Sequence, residues 1–460
     1  MKRLALARIA VLPLLFFLFI ALVANASAAA EPLNLADFES LIKTDVKNGF
    51  PGAQLAVLQN GELIYSNAWG YTRPYNSDGF PNPDKTHVTT DTLYDIGGDT
   101  SALVTTYCLQ HLVTSGQLSF DTKIVDVLGE EFVTKTFDYR GTAYEADLPD
   151  YETMLYWKQT LTVENVLRYQ SGLPVSLRLH GDNYDFVTGD YEAETPNPFY
   201  NASGTKVETL EKLCLTPLLN EPGTITNLTD TDYILLTFVI EKITGEPLNL
   251  YFRHTFVEPL NLFNLTFTPL DYGFQPSDCA ATEISGNTRG GLISFTRVRT
   301  EVVQGEVHDE MSYYAMEGVS GHAGLFANAE DLARLAYLML DDQGLFSSEV
   351  IAAATSPNSD NADFGMGWRR RVATDDNLWL FGSHASPESF GIVSFTHCTV
   401  SIDPTNSLVI IYLTNSISSP IGFTDPDNPV NANAKFLGND FDSAAFNAPI
   451  DYVYEALGLF

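Results

Sequence analysis

Two hairpin signals at opposite ends of the chain constrain its fold more than any other feature. Near the start, Ala53–Leu58 and Leu63–Trp69 are β-rich runs flanking Asn60-Gly61, a dipeptide suited to the left-handed φ values of a tight hairpin turn. Near the end, Thr399–Ile402 and Leu408–Leu413 flank Asp403-Pro404-Thr405-Asn406. The stretch between them carries mostly helical patterns. Strands at both ends with helices between predict one antiparallel sheet shared by the two ends, with flanking helices and a mainly helical subdomain: an α/β (α+β) sandwich.

The helical signals follow hydrophobic periodicity. Leu35, Phe38, Leu41, Ile42 and Val46 recur at helical spacing, and Phe50-Pro51-Gly52 ends the run. Thr100–Ser115 carries Leu103, Val104, Tyr107, Leu109 and Leu112 and closes on Gly116, so it reads as a buried helix with a glycine stop. Asp230–Thr244 ends at Gly245, and Ala329–Leu340 follows Asn328 as a cap. Residues 130–230 mix short helices, Leu161–Leu167 and Glu208–Leu213 among them, with long aromatic loops. The predicted sheet portion is about 33–95 and 365–460, and the helical and insertion portion about 96–364.

The first residues read differently. Lys2, Arg3 and Arg8 precede an apolar run from Ile9 to Val23 and then Ala26-Ser27-Ala28, the order of a secretory signal peptide. A signal over 1–28 leaves a domain from 29 to 460 that folds outside the cytoplasm, periplasmic or secreted. An uncleaved inner-membrane anchor is the alternative, although the run is shorter than the roughly 20 residues a span needs. No later stretch is long and uninterrupted enough to cross a bilayer.

Removing those three basic residues leaves 22 Lys and Arg against 58 Asp and Glu, a net charge of −36 in place of −33. That surface excludes nucleic acid and anionic lipid as partners. Because the acids are scattered, they read as adaptation to a salty medium that screens their self-repulsion and not as an acidic site. The four cysteines, Cys108, Cys214, Cys279 and Cys398, contain no Cys-x-x-Cys pair and so no zinc motif. Cys108 reads as a buried thiol, and Cys214 with Cys279 is the pairing expected if a bridge forms.

Several stretches occur together in a recognisable order: Gly49-Phe50-Pro51-Gly52-Ala53, Asp91-Thr92-Leu93-Tyr94-Asp95-Ile96, Leu161-Thr162-Val163 through Ser171-Gly172-Leu173-Pro174, and Cys279-Ala280-Ala281-Thr282-Glu283. The most specific is Gln304-Gly305-Glu306-Val307-His308-Asp309-Glu310 followed by Gly318-Val319-Ser320-Gly321-His322-Ala323-Gly324-Leu325-Phe326. Together they resemble the serine β-lactamase-like family, in particular exported penicillin-binding proteins of the 4B type. The resemblance implies a cleft between sheet and helices, and covalent serine chemistry on D-Ala-D-Ala peptides or β-lactams through three motifs.

Each motif is altered. A Ser-x-x-Lys pair supplies nucleophile and base; the family's Asp-Ile-Ala-Ser-x-Thr-Lys falls on Asp95-Ile96-Gly97-Gly98-Asp99-Thr100-Ser101, which puts Gly98 at the nucleophile and Ser101 at the base. The Tyr-x-Asn motif falls on Leu228-Thr229-Asp230 after Glu221-Pro222-Gly223-Thr224. The His/Lys-x-Gly motif falls on Ile392-Val393-Ser394, with Gly391, Phe395 and Thr396 keeping the register and His397 replacing a further glycine. Loss of nucleophile and base from a set that works as a unit costs roughly a million-fold in rate. The sequence therefore predicts a pseudoenzyme, a non-catalytic cell-envelope protein that binds a peptidoglycan-type peptide or a protein partner or serves as a scaffold, with no cofactor and no metal. The alternative is a carboxypeptidase, β-lactamase or esterase-like hydrolase using substitute residues. Oligomeric state is left open.

The other candidates weigh less. Ser40-Leu41-Ile42-Lys43 and Ser203-Gly204-Thr205-Lys206 are chance Ser-x-x-Lys strings. His308, Asp309 and His322 read as a hydrogen-bonded framework, since no His-x-x-x-His spacing supports a metal. Asp99, Thr396 and His397 are cleft candidates, with Asp99 or Thr100 as the helix cap, and His384 or His397 as a conceivable base for a substitute Ser101–Asp99 pair.

Overall fold

The computed structural model describes residues 33–175, 177–181, 203–372 and 377–460. The signal-peptide reading over 1–28 lies outside the described residues, as does 182–202 of the insertion. Leu33–Phe460 forms a single contact unit.

The two hairpins meet in one sheet. Its strands are β1 (Gly52–Gln59), β2 (Glu62–Gly70), β3 (Arg369–Arg370), β4 (Phe390–Val393), β5 (Thr399–Asp403) and β6 (Leu408–Thr414), ordered β2-β1-β6-β5-β4-β3 and antiparallel throughout. The chain ends join where β1 pairs with β6, from Ala53 opposite Thr414 to Gln59 opposite Leu408.

Strand alternation divides these residues between two cores. Ala56, Leu58, Val409, Ile411 and Leu413 face the larger core, packed with Leu103, Tyr107, Tyr233 and Leu332. Leu55, Val57, Ile410 and Tyr412 face the other, covered by Phe38 and Ile42 of the Ala36–Asn48 helix and by Val453 and Tyr454 of the Ile450–Leu457 helix. Burial on both faces explains why these strands read as continuous apolar runs.

The Asp230–Thr244 helix has the bounds the sequence indicated. Asn328 caps Ala329–Ala336 by accepting from the Asp331 N–H at 2.9 Å. The Thr100–Ser115 stretch departs from a plain helix: Gly97–Asp99 is a 3₁₀ turn, Ser101–Thr106 a π-helical segment, and only Tyr107–Thr114 is α-helical. A second small sheet, with no clear sequence signal, joins Tyr94–Asp95, Leu325–Ala327 and Leu265–Phe267.

The expected Cys214–Cys279 bridge is absent; all four cysteines are free and buried. Cys214 lies on the Lys206–Leu215 helix in the larger core, whereas Cys279 packs in a separate cluster with Leu93, Val307 and Phe326.

The cap expected at the start of the buried helix is also absent. Thr100 donates its hydroxyl to the Gly97 carbonyl at 2.7 Å and accepts from the Leu325 N–H at 3.2 Å. Asp99 turns inward: it is fully buried, with both carboxyl oxygens unpartnered, and burial raises its pKa well above the usual carboxylate range. A neutral acid held there without hydrogen bonds costs about 1–3 kcal/mol. The unfolded chain releases this proton near pH 4 while the folded chain retains it, so the folded state loses stability as pH rises from that point. Asp99→Val should therefore raise stability by about 1–3 kcal/mol at pH 7.5 and by less at pH 4.5, read from urea unfolding at the two pH values. A gain that is the same at both values would contradict a protonated Asp99.

Candidate functional site

An open cleft of about 360 Å³ lies where the three motifs converge, lined by Gly97, Gly98, Leu228, Asp230, Arg289, His308, Asp309, Glu310, His322, Ala323 and Val393–Thr396. Its first wall is the 3₁₀ turn. Asp95 fixes this turn by accepting from the Gly97 N–H at 2.9 Å and from the His308 N–H at 2.7 Å, which ties it to the Gly305–Asp309 segment. Gly97 adopts φ +49°, a left-handed conformation that glycine tolerates best. At Gly98 φ is not positive, and a Cβ added there would meet nothing within 4 Å. Ser101 is buried and does not line the cleft, but its hydroxyl donates to the Gly98 carbonyl at 2.8 Å, so its side chain lies over residue 98.

The second wall is the start of the Asp230–Thr244 helix. Thr229 caps that helix, accepting from the Thr231 N–H at 3.2 Å, which leaves Leu228 and Asp230 facing the cleft. The third is the end of β4. Ile392 is directed into the larger core, while Val393 and Ser394 line the cleft. The Ser394 and Thr396 hydroxyls lie 2.8 Å apart, and Ser394 accepts from the Cys398 N–H at 3.2 Å. His397 points elsewhere: its Nδ1 donates to the Ala444 carbonyl at 3.1 Å and its ring stacks on Phe446. His384 lies against Glu455 and Phe460. The conceivable substitute set of Ser101, Asp99 and either histidine is therefore not assembled.

The fourth wall is charged. His322 Nε2 lies 2.7 Å from Asp309 Oδ1 and its Nδ1 lies 2.8 Å from the Ser320 hydroxyl. Asp309 also caps the Glu310–Ala315 helix by accepting from the Ser312 N–H at 2.7 Å. These contacts link Asp309 and His322 to the start of the Glu310–Ala315 helix. Burial works against both charges, but their mutual attraction outweighs it: the imidazole is held above its ordinary pKa and the carboxylate below its own. Ser320, His322 and Asp309 have the connectivity of a Ser-His-Asp relay. Ser320 is fully buried, however, and does not line the cleft, so no substrate carbonyl could reach it.

His308 is neutral at physiological pH, because burial, aided by the Arg289 guanidinium, pushes its pKa down to about 4. Its ring stacks on Phe395, which is 55% exposed in the cleft. Arg289 is a cleft residue that sequence reasoning missed. Its guanidinium lies 4.8 Å from the Phe395 ring and 5.4 Å from the Phe436 ring, pairs with buried Glu283, and approaches Glu310 at 3.8 Å. It brings a cation to the cleft, where Val393 and Ser394 at the end of β4 have none. The chance strings are engaged elsewhere: Lys43 pairs with Glu39, and Lys206 with Glu241.

The family model described as Beta-lactamase matches residues 38–433. The chain belongs to this family. It is 34% identical over 430 residues, 92% of its own length and 89% of the relative's, to a Bacillus subtilis (strain 168) protein named "N-acetylmuramyl-L-alanine amidase". It is 33% identical over 435 residues, 92% and 90% of the two lengths, to an Escherichia coli (strain K12) protein named "Putative D-alanyl-D-alanine carboxypeptidase". Among solved structures, the hydrolase EstCE1 matches with a TM-score of 0.60 at 17% identity, covering 92% of this chain and 98% of that one, a likeness of fold alone. Family membership agrees with the resemblance read from the Gln304–Glu310 and Gly318–Phe326 segments.

Proposed function

We propose that this β-lactamase-family chain is an exported, non-catalytic protein whose open cleft binds a peptidoglycan-type peptide without cleaving it. The observation that carries the reading is the space at Gly98. The position that holds the family's nucleophile has no side chain, faces an open cleft and has no base at residue 101. Catalysis through an acyl-enzyme needs both groups. The cleft nevertheless offers the Thr396 hydroxyl and the exposed Phe395 ring, with the Arg289 guanidinium stacked on that ring, a mixture suited to a short peptide. Export rests on the charged, apolar and small-residue order of residues 1–28; among the described residues no helix is long and apolar enough to cross a membrane. The cell-wall names of the relatives suggest the class of peptide.

The test is labelling of the purified chain with fluorescent penicillin, read on a denaturing gel and by intact mass. The expected result is no covalent adduct, with saturable binding of a D-Ala-D-Ala-ending peptide by calorimetry. An adduct, or turnover of a chromogenic ester lost in Ser101→Ala, would establish the hydrolase reading instead.

A further inference from the structure

We infer that Asp230, Asp309 and His322 form a divalent-cation site in the cleft. One oxygen from each carboxylate and one ring nitrogen of His322 all lie within 4.8 Å of one another. An ion bound at about 2.0–2.2 Å to nitrogen and oxygen ligands holds neighbouring ligand atoms roughly 3–3.5 Å apart. The His322–Asp309 pair at 2.7 Å is already close to that spacing, so only Asp230 has to close in. Asp230 is placed to do so, since it is exposed and lines the same cleft as the other two groups. This inference does not depend on the binding reading above.

Two further observations fit a metal centre better than a bare hydrogen-bonded loop. The supporting contacts that orient metal ligands are present. Ser320 can accept from His322 Nδ1–H, so that a metal would replace only the proton that Nε2 shares with Asp309, and the Ser312 N–H steadies Asp309. The three groups line an open cleft, and its neighbouring lining residues Leu228 and Gly98 have no polar side-chain atom to complete the coordination. Three protein ligands with an open position is the arrangement of a zinc site that also takes water or a ligand. One imidazole with two carboxylates suits a borderline or hard first-row ion, Zn²⁺ or Mn²⁺, and the acidic protein raises the local cation concentration.

The sequence concealed this grouping because Asp230 is distant along the chain from the other two and no helical ligand spacing links them. A cation here would relieve the repulsion between Asp230, Asp309 and neighbouring Glu310, and could offer a Lewis-acid contact to a peptide carbonyl or carboxylate.

The experiment is calorimetric titration of the full chain with Zn²⁺, and with Mn²⁺ followed by electron paramagnetic resonance, after treatment with chelator. The expected result is one equivalent of Zn²⁺ or Mn²⁺ bound, weakened by about 100-fold or more in Asp230→Asn and unchanged in His384→Gln. Asp230 is exposed, so its variant should keep the wild-type melting curve without metal. No binding, or binding of several ions that Asp230→Asn leaves unaltered, would overturn the site. Penicillin labelling is silent in either case, so failure here is distinct from failure of the non-catalytic reading.

Discussion

The triple variant Gly98→Ser, Ser101→Lys, Leu228→Tyr should acquire slow covalent labelling by fluorescent penicillin, where Gly98→Ser alone should not. Residue 98 has ordinary backbone geometry and room for a Cβ, so a serine hydroxyl can stand in the cleft without backbone strain. The Ser101 side chain already lies over residue 98, which places a lysine amine on the right face to take the serine proton. Leu228 is 44% exposed in the cleft, leaving a phenol free to join the same proton network. A serine without its base remains a poor nucleophile. Adding the base should raise the acylation rate by on the order of 10²-fold or more over Gly98→Ser. Activity should stay far below that of an intact family site, since Ile392 faces the core and supplies no cation. Gel fluorescence and a mass increment of one penicillin measure the result. A folded triple variant that stays unlabelled would locate the loss elsewhere, first in the π-helical segment that follows Thr100.

What could be read from the residues follows the range of the forces involved. Asn60-Gly61 set a hairpin, and Asn328 and the Asp230–Thr244 stretch set a cap and a helix, because turn chemistry and periodicity act within a few residues. The Gln304–Glu310 and Gly318–Phe326 segments were informative because they are joints of the cleft, where Asp95 holds the distant His308 N–H and Asp309 pairs with His322. Features formed by distant side chains were hidden. Arg289 sits in a loop with no motif, and only the fold brings its guanidinium to Phe395 and Phe436. Asp99 looked like a cap because short acids usually serve at helix starts, but the 3₁₀ turn and π-helical segment turn it inward. His397 followed the cleft motif in sequence, yet its left-handed φ of +62° carries the ring toward Ala444. Cys214 and Cys279 could be paired on paper because sequence contains no distances.

Lys158 was equally invisible, and it should control how stability depends on pH. Its side chain is fully buried, with Nζ donating to the Cys214 carbonyl at 2.7 Å and the Thr216 carbonyl at 3.1 Å, 4.4 Å from the Phe132 ring centroid. Burial pushes its pKa down to about 7. Between that value and the ordinary lysine value near 10.4, the unfolded chain holds a proton that the folded chain lacks, so this residue makes stability rise with pH across the window. The repulsion among surface acids pulls the other way but is nearly the same in Lys158→Met, so the comparison between the two proteins isolates the buried amine. At pH 10 the variant leaves two buried carbonyls without their donor, and it should be less stable than wild type by about 2–4 kcal/mol. At pH 6.5 the wild type must bury an ammonium, and the gap should narrow by up to about 4 kcal/mol, closing or reversing. Urea unfolding of both proteins at several pH values measures the difference. A gap that stays constant from pH 6.5 to 10 would mean that the two carbonyls and the Phe132 ring hold the amine charged in the folded state, and would sink the assignment.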